Sequence, residues 1–299
     1  MNQSSVRYAV NSFQETYRKS FEMPSKLNHY PSTIHRPSFL HRHVPGIRLE
    51  KAFDIHSLGS EALTNAYHEA NSLIPEIRIE TVPRQRGDKM REKSPASTIG
   101  LPLGIPTIQF ADSLSRKKRI EAIAHELAHL LLVYRYGLGV IGRKIPRYGN
   151  SDDVFRYFMS MSGDWEYLLG QLGNTVHHLI LIDYLEEKYG IDSSLHLHLL
   201  NHNFSILSKD SPQDKESLYA TGIIAFEYEK LIGNVDRFID LDLQTECFRK
   251  SFQSAQRHFG KYGFRSIPDP SSYQADILSF LGDLGYQRQD FLFFPKAGA

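Results

Sequence analysis

The stretch IEAIAHELAHLLL, residues 120–132, is apolar around nearly the whole circumference of a helix and still carries two histidines with a glutamate directly after the first. Ile120, Ile123, Ala124, Leu127, Leu131 and Tyr134 recur at intervals of three and four, and Leu130 to Val133 run on without a polar break. That pattern predicts a helix buried almost all round, so the other elements must pack about it. Asp112, Ser113 and Ser115 offer N-cap oxygens upstream, and Gly137 offers a stop.

Polar rings in such a helix need partners, because an unpaired buried polar group costs about 1–3 kcal/mol. His125 and His129 lie one helical turn apart on one face, the spacing at which two imidazoles can hold a single Zn²⁺. Glu126 completes an HExxH pattern and projects from the neighbouring angle, where a carboxylate can take a proton from an activated water. Random placement of the chain's 14 His and 17 Glu would give roughly 0.04 such patterns, so composition does not account for it.

Length and composition narrow the rest. The 299 residues, 41% of them hydrophobic, can bury a large core in one big domain or two modest ones. With 35 basic and 34 acidic residues the net charge is +1, which argues against nucleic acid as a partner. Arg116, Lys117, Lys118 and Arg119, at the start of the motif helix, are expected to form a solvated turn. The lone Cys247 excludes an intrachain disulfide and a cysteine-rich zinc site, and favours a reducing compartment. No signal-peptide core and no run of about 18 apolar residues is present, so a cytoplasmic protein without a membrane contact is expected. A signal-independent export address is not readable from the residues.

Along the chain, residues 1–45 read as a partly irregular arm, with His29, His35, His41 and His43 at irregular spacing. Residues 46–190 are expected to form a metal-binding core and residues 191–299 a helical region packed on it. Within the core the pattern predicts a helix from Leu58 to Leu73, a strand at PEIRIETV (75–82), an exposed loop over 83–98 and a strand at IPTIQF (105–110). A glycine-rich connection follows Gly137, and a long helix spans residues 163–189, ending at Gly190. Helices are expected around 195–208, 217–233, 245–263 and 273–284, and FLFFPKAGA at 291–299 is either an apolar strand or a packed tail.

Catalytic zinc is usually held by three protein ligands plus water. The long helix offers Glu166, in its first turn, and His178, with Asn174 one turn before it as a supporting neighbour; His178 is preferred. Gly170 and Gly173 would let another helix approach that site. His196, His198 and His202 lack an interposed glutamate and are expected at a surface or helix end.

The strand PEIRIETV, the strand IPTIQF and the helix bearing His125, Glu126 and His129 together resemble the zincin metallopeptidase superfamily. The layout is similar to IrrE- and ImmA-like gluzincin domains and to bacterial relatives with an asparagine and a histidine four apart in a later helix, as Asn174 and His178 are. The resemblance covers roughly residues 60–190. It implies an α+β fold, a small sheet packed on the HExxH helix with IPTIQF as its edge strand, and a mostly helical C-terminal part. It also implies a zinc-dependent peptidase in which His125 and His129 bind Zn²⁺, Glu126 is the general base and a peptide or protein is the substrate. Arg135 stands where metzincins place a third histidine, and Asn174 and His178 stand where the best-known gluzincins have Glu and Asp. The alternative is a zincin-derived binding or regulatory module without activity. Tyr134, Arg135, Tyr136, His177 and Tyr219 are candidate oxyanion donors.

Overall fold

The computed structural model describes residues 53–82, 95–101, 105–143, 164–207, 214–233 and 245–294, with no side-chain description for 143, 164–166 and 203–207. The histidines of the 1–45 arm lie outside these residues. Among the described residues the chain is mixed α+β and predominantly helical, with seven α-helices and two small sheets.

Helix α1 (Glu61–Leu73) starts at Ser60, whose hydroxyl accepts from the Leu63 amide, and buries Leu63, Ala66 and Ala70. Strands β1 (Arg78–Val82), β2 (Ala96–Ile99) and β3 (Thr107–Ala111) form one sheet in the order β1-β3-β2. β3 runs parallel to β1 and antiparallel to β2. Two expectations change here. IPTIQF supplies the central strand instead of the edge, and the edge strand β2 comes from a segment expected to be an exposed loop. The ASTI sequence of β2 is four residues long and has Ser and Thr at its centre, too short and too polar to show the apolar alternation that marks a half-buried strand.

Helix α2 (Arg116–Tyr136) is the motif helix, capped by the Ser115 hydroxyl and ended by Gly137 at φ 69°. Ile123, Ala124, Leu127, Ala128 and Leu130 to Val133 are buried on it. The sheet and α1 pack on it. Ile79, Ile108 and Thr98 share one row of the sheet; Ile108 is fully buried, so this row faces the helix. Thr98 is thereby aimed at α2.

Strand β4 (Val140–Arg143), inside the stretch expected to be a glycine-rich connection, pairs antiparallel with β5 (Phe291–Phe294). That pairing settles FLFF as a strand and explains both: each short segment acquires its ladder from a partner about 150 residues away in sequence, beyond the reach of local patterning.

Helix α3 (Asp164–Tyr189) is followed by α4 (Ser194–Leu207), α5 (Lys215–Leu231), α6 (Glu246–Phe259) and α7 (Pro270–Asp283). α3 packs on α2 and on α5, and α4 packs on α2 and α5. One hydrophobic cluster runs from Leu63 on α1 through Leu127 and Leu131 on α2, Val176 and Ile180 on α3, Phe226 on α5 and Phe259 on α6 to Phe293 on β5. Removing any one of the fully buried large side chains in it would cost about 2–5 kcal/mol. Among the described residues no atom lies within 4 Å of a Cβ added at Gly170 or Gly173, so no described helix presses against them. The close approach is at Gly222 on α5, where an added Cβ would meet the Phe248 carbonyl oxygen of α6 at 2.6 Å. No described helix is long and apolar enough to cross a membrane.

Candidate metal centre

Three helices deliver a knot of histidines. Four-residue spacing on α2 stacks His125 and His129, whose Nε2 atoms lie 3.2 Å apart. Two nitrogens each about 2.0–2.1 Å from a tetrahedral zinc would stand about 3.3 Å apart. His178 of α3 brings its ring to 5.0 Å from that of His125 and 5.2 Å from that of His129. One ligand nitrogen from each of the three residues falls within 4.8 Å of the others. The site residues picked from the motif and the preferred candidate from the long helix therefore meet in space.

The support for His178 differs from the expectation. Asn174 is solvent-exposed. The buried stripe of α3 runs through Thr175 and His178 toward α5 and leaves Asn174 at its solvent edge. The partner of His178 is Glu227 of α5, whose Oε1 accepts from His178 Nδ1 at 2.6 Å. With its hydrogen committed to a carboxylate on Nδ1, His178 presents a bare Nε2. The side chain of Glu166, the alternative ligand, lies outside the described residues.

Glu227 is 1% exposed. It also accepts from His196 Nε2 at 3.2 Å, from Thr175 Oγ1 at 2.5 Å and from Gln171 Nε2 at 3.4 Å. Burial pushes its carboxyl up, but the His178 and His196 contacts more than reverse this and hold it well below the ordinary carboxylate range. His196 itself stacks on His125 with ring centroids 4.9 Å apart and an interplanar angle of 22°, and sits 4.1 Å from His178. It belongs to the cluster, whereas His198 and His202 are exposed as expected. A second group of donor atoms that could hold an ion, His178, His196 and Glu227, overlaps the first.

His196 and Glu227 both lie beyond residue 190. A signal for Glu227 is present in the sequence: it is a single acid inside ATGIIAFEY, a stretch that is otherwise apolar or small, and such an acid requires a buried partner. His196 is held in place by α2. The Glu121 carboxylate, 4% exposed, accepts from the amides of Leu195 and His196 and from the Ser194 hydroxyl, at the first turn of α4. A carboxylate there satisfies amides that an α-helix leaves without partners.

Glu126 keeps part of its surface accessible. Its Oε2 accepts from Thr98 Oγ1 at 2.7 Å, which ties it to the edge strand. Burial raises its carboxyl to about 7, against the hydrogen bonds from Thr98. Burial also lowers His125 and His129 well below the ordinary imidazole value, reinforced by their histidine neighbours. Neutral imidazoles are the form that binds metal.

Of the candidate oxyanion donors, His177 touches the cluster: its Nδ1 lies 3.1 Å from His129 Nδ1 and its Nε2 lies 3.1 Å from the Leu138 carbonyl. Arg135 is paired with Glu69, and the Tyr219 hydroxyl donates to the Leu284 carbonyl at 3.2 Å. Tyr136 packs edge-on against Tyr184. The Tyr134 hydroxyl is raised to about 12 by burial, so it stays protonated. No protein-family model, curated protein or solved structure matches the chain.

Proposed function

We propose that the chain is a zinc-dependent hydrolase of the metallopeptidase type, built on a zincin-like core in which the three-stranded sheet covers the HExxH helix. The observation that carries this reading is the convergence of His125, His129 and His178, whose ligand nitrogens lie within 4.8 Å of one another beside Glu126. Three imidazoles would supply the three protein ligands usual for a catalytic zinc, one fewer than a closed structural site uses. When bound, zinc supplies Lewis acidity: it lowers the pKa of a water to about 7 and polarises a carbonyl.

The protein's own residues do the remainder. Thr98 orients Glu126 through Oε2, leaving Oε1 to take a proton from the attacking water and return it to the leaving amine. Glu227 orients His178 by accepting from its Nδ1. His196, stacked on His125, gives its Nε2 hydrogen to the same Glu227 and so helps hold that carboxylate against His178. A peptide or protein is the proposed substrate, and the cytoplasm the proposed compartment.

The test is a metal assay joined to a cleavage assay on the full chain. The wild type should hold about one zinc near neutral pH and cut an unstructured protein or a mixed peptide library. Glu126→Gln should keep the metal and lose cleavage. A wild type that takes up no zinc overturns the reading.

A further inference from the structure

His177 is 5% exposed, and each of its ring nitrogens meets a polar partner. Nε2 lies 3.1 Å from the Leu138 carbonyl oxygen. A carbonyl only accepts, so His177 Nε2 carries a hydrogen. Nδ1 lies 3.1 Å from Nδ1 of His129, and a bond between two ring nitrogens contains one hydrogen. If that hydrogen also belonged to His177, the ring would be a buried imidazolium whose polar contacts among the described residues are a carbonyl and an imidazole, with no carboxylate. Burying a charge without a counter-charge is strongly unfavourable. The hydrogen is therefore on Nδ1 of His129.

From this geometry we infer that His177 is a positioning residue that sets the tautomer of His129, keeping the hydrogen on Nδ1 and the Nε2 lone pair bare toward His125 and His178. The anchor of the relay comes from the motif helix itself. Gly137 ends α2 in the left-handed region, and the Leu138 amide donates back to the Leu132 carbonyl at 3.0 Å. The Leu138 carbonyl, fixed in this way, holds His177, and His177 holds His129 on the same helix. The Nδ1–H of His178 is accepted by a carboxylate, whereas that of His129 is accepted by a neutral ring that adds no charge to the site.

The purpose of this arrangement rests on the metal reading above; the tautomer itself does not. The experiment uses the full chain labelled with ¹⁵N-histidine, freed of metal by a chelator, with ring hydrogens located by long-range ¹H–¹⁵N correlation. His129 should be protonated on Nδ1. Adding zinc should leave that hydrogen in place. His129 found protonated on Nε2, or exchanging between both forms, overturns the inference. Zinc titration against a competing chelator supplies the second readout. His177→Phe, which keeps a ring but accepts nothing, should weaken zinc binding about 10–100-fold. His177→Gln, which can accept from His129 and donate to Leu138, should recover most of that loss. A His177→Phe protein that binds zinc like the wild type overturns the inference; if this variant does not fold, the wild-type tautomers decide alone. A wild type with the expected tautomers and no zinc uptake would sink the hydrolase proposal and leave this one standing.

Discussion

Glu227 and His178, 49 residues apart in sequence, share a hydrogen bond of 2.6 Å between α5 and α3 inside the protein. The carboxylate serves two rings and a hydroxyl at once, so its removal has two separable effects. Glu227→Ala should weaken zinc binding about 10–100-fold by freeing the orientation of His178. It should also destabilise the chelator-treated protein by about 1–3 kcal/mol, because buried donors lose their acceptor. Zinc competition titration and denaturant unfolding measure the two; an unchanged zinc affinity would show that His178 needs no partner.

Thr98→Val should separate orientation of the base from metal binding. The variant keeps the shape of the side chain and deletes the donor to Glu126 Oε2. A hydrogen bond to a charged group is worth about 1.5–3 kcal/mol, so kcat should fall roughly tenfold or more. Zinc content should be unchanged. Loss of zinc together with activity would mean that Thr98 supports the fold and not the base.

Glu121→Ala tests whether the motif helix fixes His196. The Glu121 carboxylate takes amides of the first turn of α4, and loss of a helix cap costs about 0.5–2 kcal/mol. Thermal unfolding should show that loss, and cleavage should fall because His196 sits in that turn. Wild-type activity in a destabilised variant would show that His196 does not support the site.

The acid side of the stability curve should depend in part on Asp283 at the end of α7. Partial burial pushes its carboxyl up, but hydrogen bonds from Ser254 and His258 and the charge of Arg257 outweigh this, leaving it below the ordinary 3.8. A carboxyl lowered on folding adds stability that is fully present above its unfolded value and is lost as pH falls through its folded value. Asp283→Asn should therefore be less stable than the wild type at pH 7. The gap should close below pH 3.8, as judged by urea unfolding across pH. A gap that persists at low pH would assign the effect to packing.

What could be read along the chain depended on how local the cause was. The spacing of His125, Glu126 and His129, the Ser115 cap and the Gly137 stop all act within a few residues, and each stands where the pattern put it. His178 is visible as a polar residue among apolar ones, yet helical spacing, all that one segment reveals, points to Asn174 as its neighbour and not to Glu227. Glu227 and His196 reach the site through packing of α5 and α4, so no local period marks them. β2 and β4 were missed for the same reason: polar or glycine-containing residues became strands only because β3 and β5 lie alongside. The parts that hold the histidines in register are long-range, and the parts that hold the chemistry are short-range.

That division makes Gly222 the most informative position far from the histidines. It sits on α5, five residues before Glu227, where the α6 backbone approaches so closely that a Cβ would meet Phe248 O at 2.6 Å and Phe252 N at 3.1 Å. Backbone atoms cannot rotate aside as a side chain can, so Gly222→Ala must part the two helices. Overpacking of this kind costs about 1–3 kcal/mol. Because α5 also packs against α3, the shift should displace Glu227 from His178 and weaken zinc binding without touching a ligand. Denaturant unfolding and zinc titration should move together in this variant. A protein that loses stability but keeps wild-type zinc affinity would mean that the α3–α5 contact is set independently of α6.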